Sequence, residues 1–236
     1  MRPGCRFFCS PTRGSLGRVA TLEPVALLDL DPDQLLSTTR AVRKRLDFTR
    51  PVPDDLIREC VAMALQAPSG SNVVTMRFAA VTDPAKIAAI DAIYGEVYAG
   101  YKASPGYAGS HAATGAHAQT QARVANSADY LGEHMGESPA LVIVCNEGRD
   151  RESAVGGIDN VLPGAWSFML AARARGLGTA WTTMHTSRER DVADVLGIPY
   201  DTIAQAVLTP VAFTRGTEFK AAARPAPDDV THWNTW

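Results

Sequence analysis

Ala67-Pro68-Ser69-Gly70-Ser71-Asn72 interrupts a strongly periodic helix with a run of turn-forming residues. Upstream, Leu56, Ile57, Cys60, Val61, Ala64 and Leu65 recur at i, i+4 and i+8, one apolar helical face that ends at the proline. Downstream, Arg77-Phe78-Ala79-Ala80-Val81-Thr82 reads as a short buried strand. A helix that stops here and feeds a strand presents free backbone N–H groups, small hydroxyls and an amide side chain. It offers no bulk to keep a flat polar ligand away. The same residues are the commonest turn formers, so the stretch taken alone also reads as an ordinary glycine-containing loop.

Working outward, Asp31-Pro32 pairs an N-cap acceptor with proline at the first helical position, and the helix it opens is expected to carry Leu35, Leu36, Thr39 and Val42 on one side. Arg40 and Arg43 would then share a face, and a solvated face is the plain explanation for them. Pro53-Asp54-Asp55 opens the helix that ends at the turn, and Asp83-Pro84 opens another through about Tyr101. From Lys102 to Gln121 the periodicity fails, which reads as a mobile cover or loop. His111 and His117 in it lack companions at metal-ligand spacing. Pro139 to Cys145 is the strongest strand, apolar on both faces and therefore central. A helix over about Asn160 to Arg175 turns Val161, Ala165, Phe168, Met169 and Ala172 inward, with Trp166 on its flank. Gly176-Leu177-Gly178 caps it, Thr186-Ser187-Arg188-Glu189 fits a capping box, and Ile203 to Phe213 is the last strand.

A chain of 236 residues, 46% hydrophobic and 20% charged, supports one full core. Residues 1–30 read as a disordered extension, basic and without the apolar run of a secretory signal, and residues 31–236 as one domain. With 23 basic and 25 acidic residues the net charge of −2 favours neither nucleic acid nor a membrane surface. Cys5, Cys9, Cys60 and Cys145 form no CxxC, and a reducing, cytoplasmic setting is expected. No GxGxxG or GxxxxGK[ST] motif points to a dinucleotide or P-loop fold.

Four blocks, in order, resemble the FMN-dependent nitroreductase family: Arg40-Ala41-Val42-Arg43, Pro51-Val52-Pro53-Asp54 with the Ala67 to Asn72 turn, Ala171 through Thr183, and Leu196-Gly197-Ile198-Pro199. The resemblance implies an α+β fold, a mainly antiparallel central sheet flanked by helices, and a homodimer with two FMN sites at the subunit interface. It implies FMN contacts at Arg40, Ala41, Arg43, Pro68, Ser69, Gly70, Asn72, Trp181, Thr182, Thr183 and Arg224, with Ser71 toward the substrate and no catalytic side chain. Arg40 and Arg224 would meet the phosphate, Arg43 the pyrimidine edge of the ring, and residues 181–183 its flank. Ala41 stands where relatives often have serine, and Val73 to Met76 replace a glutamine and an aromatic. The implied activity passes a hydride from NAD(P)H through the flavin to a small electron-poor acceptor, a nitroaromatic, quinone or enone. The alternatives are a dedicated reaction such as reductive dehalogenation or deazaflavin-linked reduction, or a flavin-binding protein without turnover. Trp233 and Trp236 at a polar C-terminus call for a surface to pack against, and a partner subunit supplies one.

Overall fold

The computed structural model describes residues 26–110 and 118–236, so Cys5, Cys9, His111, His117 and most of the expected 1–30 extension lie outside the described residues. Within them, Leu28 N–H already donates to Ala174 O at 2.7 Å.

The first helix, α1 (Pro32–Thr38), starts as its sequence requires: the Asp31 carboxylate accepts from Gln34 N–H at 2.7 Å and Pro32 takes the first position. It ends before Arg40, and this corrects the expectation that Arg40 and Arg43 lie on one helical face. The Thr38 and Thr39 hydroxyls turn back to donate to Gln34 O and Leu35 O, both at 2.6 Å, and Thr39 adopts extended geometry. Ala41 then forms a parallel bridge with Thr179, and Val42 N–H donates to Thr179 O at 2.8 Å. Burying Val42 beside Leu46 and Ala212 is what pulls the chain straight. Gly178 permits the close approach, because a Cβ there would stand 2.8 Å from Leu46 Cδ2 and 3.0 Å from Val42 Cβ. Leu36, expected inward, is exposed.

The sheet order is β1 (Leu46–Asp47), β5 (Ile203–Thr214), β3 (Ala140–Glu147), β2 (Met76–Val81), with β4 (Leu177–Thr179) also on β5, and every strand pair is antiparallel. The alternation of β3 divides the core. Val142 faces α2 (Asp54–Ala64) and α6 (Leu162–Ala174) with Leu56, Cys60, Phe168 and Ala172. Leu141 and Ile143 face α3 (Pro84–Lys102) and α7 (Glu189–Leu196) with Ile87, Ile90, Tyr94 and Val192. The first of these layers buries the apolar face expected for α2, Leu65 excepted, while β2 is less buried than its composition suggests. Arg77 and Ala80 are exposed because β2 is an edge strand.

The helix after the 102–121 segment, α4 (Ala118–His134), begins inside the stretch expected to be irregular. The expected capping box at Thr186 is absent: residues 184–188 form a 3₁₀ turn in which the Thr186 hydroxyl donates to Thr183 O at 2.8 Å. The Glu189 carboxylate instead pairs with Arg151 and accepts Gln205 N–H at 2.7 Å, tying α7 to β5 and to α5 (Arg151–Gly156). A partly buried carboxylate gains more from a cation and an unpaired strand N–H than from a local cap.

Candidate functional site

The straightened Arg40–Arg45 segment organises a cationic surface. Beyond β5 the chain runs back as a strap over residues 215–220, held by three guanidinium groups. Arg45 donates to the carbonyls of Arg215, Gly216 and Glu218 at 3.0, 2.7 and 2.8 Å, Arg173 to Thr217 O at 2.9 Å, and Arg40 to Lys220 O at 2.8 Å. Phe219 lies between two of them, its ring centre 4.1 Å from the Arg45 guanidinium and 4.8 Å from that of Arg173. Arg173 is buried, and its Nε and Nη1 have no hydrogen-bond partner among the described residues. Burial draws this guanidinium below its ordinary value, with the Glu218 charge opposing.

Between strap and segment lies a groove of about 450 Å³ lined by Arg40, Arg43, Lys44, Arg45 and Lys220 against a single carboxylate, Glu218. A second groove of about 320 Å³ shares Arg40 and adds Arg224 and Trp166, so Arg40 and Arg224 do come together. Arg224 is exposed and, among the described residues, donates only to Ala223 O at 3.2 Å. Ala41 lines the first groove with a methyl group.

Arg43 points toward α3 and α4. Its Nη1 lies 3.4 Å from Ser127 Oγ on α4, and it sits close enough to Tyr94 and Tyr98 of α3 to interact with both phenols. Burial lowers the guanidinium pKa and the two tyrosines oppose the shift; the group stays charged. Tyr94 Oη and Thr182 Oγ1 are 3.3 Å apart, and Thr182 is fixed to the sheet by an antiparallel bridge with Leu208. Thus the charge of Arg43 acts on the phenol that Thr182 contacts. Trp181 points the other way, into a cluster with Met76, Val161 and Ala165, while Thr183 is exposed and starts the 184–188 turn.

The Pro68 to Asn72 turn sits elsewhere. It contributes to neither cationic groove, and a Cβ at Gly70 would stand 3.2 Å from Asn160 Oδ1. Ser71 and Asn72 hold positive φ of 53° and 57°, a conformation that costs a non-glycine side chain on the order of 1 kcal/mol, least for Asn.

A model of the Nitroreductase family matches residues 36–212. The chain belongs to the Nitroreductase family. The match runs from α1 to Ala212 in β5, so the strap and Arg224 lie beyond it. No curated protein sequence matches the chain significantly. Among solved structures, the chain is similar to an oxidized iodotyrosine deiodinase bound to FMN and 3-iodo-L-tyrosine, at 20% identity and a TM-score of 0.63, over 84% of this chain and 96% of that one. A putative NADH dehydrogenase/NAD(P)H nitroreductase from Bacteroides thetaiotaomicron matches at 19% identity and a TM-score of 0.59, over 86% and 96%. An FMN-dependent nitroreductase from Clostridium difficile matches at 17% identity and 0.59, over 86% and 98%. The nitroreductase fold is therefore shared at low identity.

Several members of this site escape a reading of the sequence. Lys44 and Arg45 stand in the basic run beside Arg43, but nothing in spacing shows that Arg45 clamps a strap 170 residues later. Arg173 is buried in an otherwise apolar helix face, which is the one signal it gives. Tyr94, Tyr98 and Tyr101 recur at i, i+4 and i+7, a helical stripe that resembles ordinary core until Thr182 is placed against it.

Proposed function

We propose that this chain is an FMN-dependent oxidoreductase that takes a hydride from NAD(P)H and passes it to a small electron-poor acceptor such as a nitroaromatic, quinone or enone. Membership of the Nitroreductase family supports a flavin oxidoreductase. The observation that carries the reading for this chain is the pair of cationic grooves joined at Arg40. Their donors suit a long ligand with a phosphate at one end and carbonyl oxygens at the other, because a guanidinium stays charged and forks onto either.

FMN, when bound, supplies reversible hydride transfer. The chain's own residues would do the rest. Arg40 and Arg224 would hold the phosphate, and Ala41 would offer it no hydroxyl. Arg43 would stabilise negative charge on the ring edge, in a partly buried position where a fixed cation acts strongly. Trp181, Thr182 and Thr183 would line the ring. Pro68, Ser69, Gly70 and Asn72 contribute to neither groove of their own protomer, so we propose that a partner subunit brings these residues to the flavin and Ser71 to the substrate. The outer edge of β2, unpaired among the described residues, and the exposed Val73 before it, 58%, support such a homodimer, as does Trp233 in the C-terminal tail, 78% exposed. Among the described residues no helix is long and apolar enough to cross a membrane, and we propose a cytoplasmic protein.

Likeness to an FMN-bound deiodinase supports a second reading, reductive dehalogenation by the same site. One experiment addresses both. The FMN-loaded protein is mixed anaerobically with NADH or NADPH, and the reduced form is then offered a nitroaromatic, menadione, an enone or a halogenated phenol. Bleaching of the yellow absorption followed by its return with one acceptor class supports that class. A flavin that neither donor reduces contradicts the NAD(P)H reading.

A further inference from the structure

Thr182 carries a hydroxyl whose direction of donation is set by its neighbours. Tyr94 Oη lies 3.3 Å from Thr182 Oγ1, and Met184 N–H donates to the same oxygen at 3.4 Å. Tyr94 is 3% exposed, and its ring stacks on Tyr98 with centroids 6.1 Å apart and planes within 10°, so the phenol is held in place. A threonine hydroxyl has one proton and two lone pairs. Met184 fills one lone pair. If Thr182 gave its proton to Tyr94, it would have only a lone pair left for any ligand. If Tyr94 gives the proton, both lone pairs are filled and the Thr182 proton is free.

The burial of Tyr94 selects the second arrangement. Thr182 Oγ1 is the one hydrogen-bond partner of the Tyr94 hydroxyl among the described residues. A phenol that accepted there would leave its own proton buried without an acceptor, at the full desolvation cost of that group, whereas a phenol that donates is satisfied.

We propose that Tyr94 is a positioning residue that donates to Thr182 and thereby makes the Thr182 hydroxyl a hydrogen-bond donor toward the bound flavin. This rests on the FMN reading of the site. A donor binds a more electron-rich acceptor more strongly, so Thr182 oriented in this way favours reduced over oxidised flavin. Without the Tyr94 hydroxyl, the Thr182 proton is no longer committed to the flavin and that preference falls.

The test compares the dissociation constants of oxidised and reduced FMN for the parent, Tyr94→Phe, Thr182→Val, the double variant, Thr182→Ser with and without Tyr94→Phe, and Tyr98→Phe. Tyr94→Phe should bind oxidised FMN as the parent does and weaken the preference for reduced FMN about fivefold, which for a two-electron couple is about 20 mV. The effect should vanish in the Thr182→Val background, persist in Thr182→Ser, and be absent in Tyr98→Phe, which keeps the stacked ring and loses a hydroxyl bound to Asp129 instead. An unchanged preference in Tyr94→Phe, an equal effect without the Thr182 hydroxyl, or an equal effect from Tyr98→Phe overturns the proposal while leaving the cofactor reading intact. A parent chain that takes up no FMN overturns both.

Discussion

Replacing His185 with leucine should remove most of the loss of stability that the chain suffers between about pH 7.5 and about pH 5. His185 sits in the 184–188 turn, is 0% exposed, and neither ring nitrogen has a hydrogen-bond partner among the described residues. Burial without a partner disfavours the imidazolium and lowers the histidine pKa to about 4. The folded chain therefore binds this proton less readily than the unfolded chain, whose histidine keeps a pKa of about 6.5. The contribution of the buried neutral ring is fully present above that value and is lost as the pH falls toward 4. The two pKa values set a full loss of about 3 kcal/mol, of which about 2 kcal/mol should be gone by about pH 5. Carboxylates held low by hydrogen bonds from Thr49 and Ser153, Asp47 and Asp150, lose their contribution at lower pH. Asp91, pushed up by burial, works in the opposite sense, so the difference between parent and variant is the quantity to read. Urea unfolding followed by circular dichroism, at matched flavin concentration and several pH values, gives it. Parallel stability curves would refute the reasoning and show that His185 finds a proton acceptor in the folded chain.

The remaining predictions concern the grooves. Arg43→Gln should lower the midpoint potential of bound FMN by roughly 20–60 mV, the equivalent of one charge-assisted hydrogen bond of about 1–3 kcal/mol, whereas Arg40→Gln should act mainly on affinity. Redox titration at saturating FMN separates them, and an unmoved potential in Arg43→Gln would make Arg43 a phosphate ligand like Arg40. Arg224→Ala should weaken FMN binding by about 10- to 100-fold and leave the spectrum of the remaining bound flavin unchanged, since it removes a charged contact at the phosphate end. Equal affinity in fluorescence titrations of parent and variant would place the phosphate elsewhere.

The elements with a strong period or a clear start were legible in the sequence. The α2 face, the α3 start at Asp83-Pro84, the doubly buried β3 and the glycine after α6 all follow from local chemistry, with Gly176 at a φ of +73°. What was not legible depends on partners distant in the chain. The α1 pattern continues through Val42 on paper, but Val42 gains more by joining β4 and Leu46 than by adding a helical turn. The Thr186 to Glu189 motif matches a cap by spacing, yet Arg151 and Gln205 compete for the carboxylate. The candidate site divides the same way. Arg40 and Arg224, from opposite ends of the domain, do meet around one groove, and the charge of Arg43 acts on Tyr94 beside Thr182. Their helix-face relation was wrong, and Arg45 gave no sign as a clamp because its acceptors are backbone carbonyls, which every sequence has, while Arg173 gave only its place in an apolar helix face.

The most direct test is titration of the purified chain with FMN, monitored by flavin fluorescence and absorption, after any bound cofactor has been removed and quantified. Saturable binding of one FMN per chain, weakened by Arg40→Gln and by Arg224→Ala, is the expected result. A colourless chain that leaves added FMN free in solution would contradict the assignment of the Arg40 grooves as a flavin site.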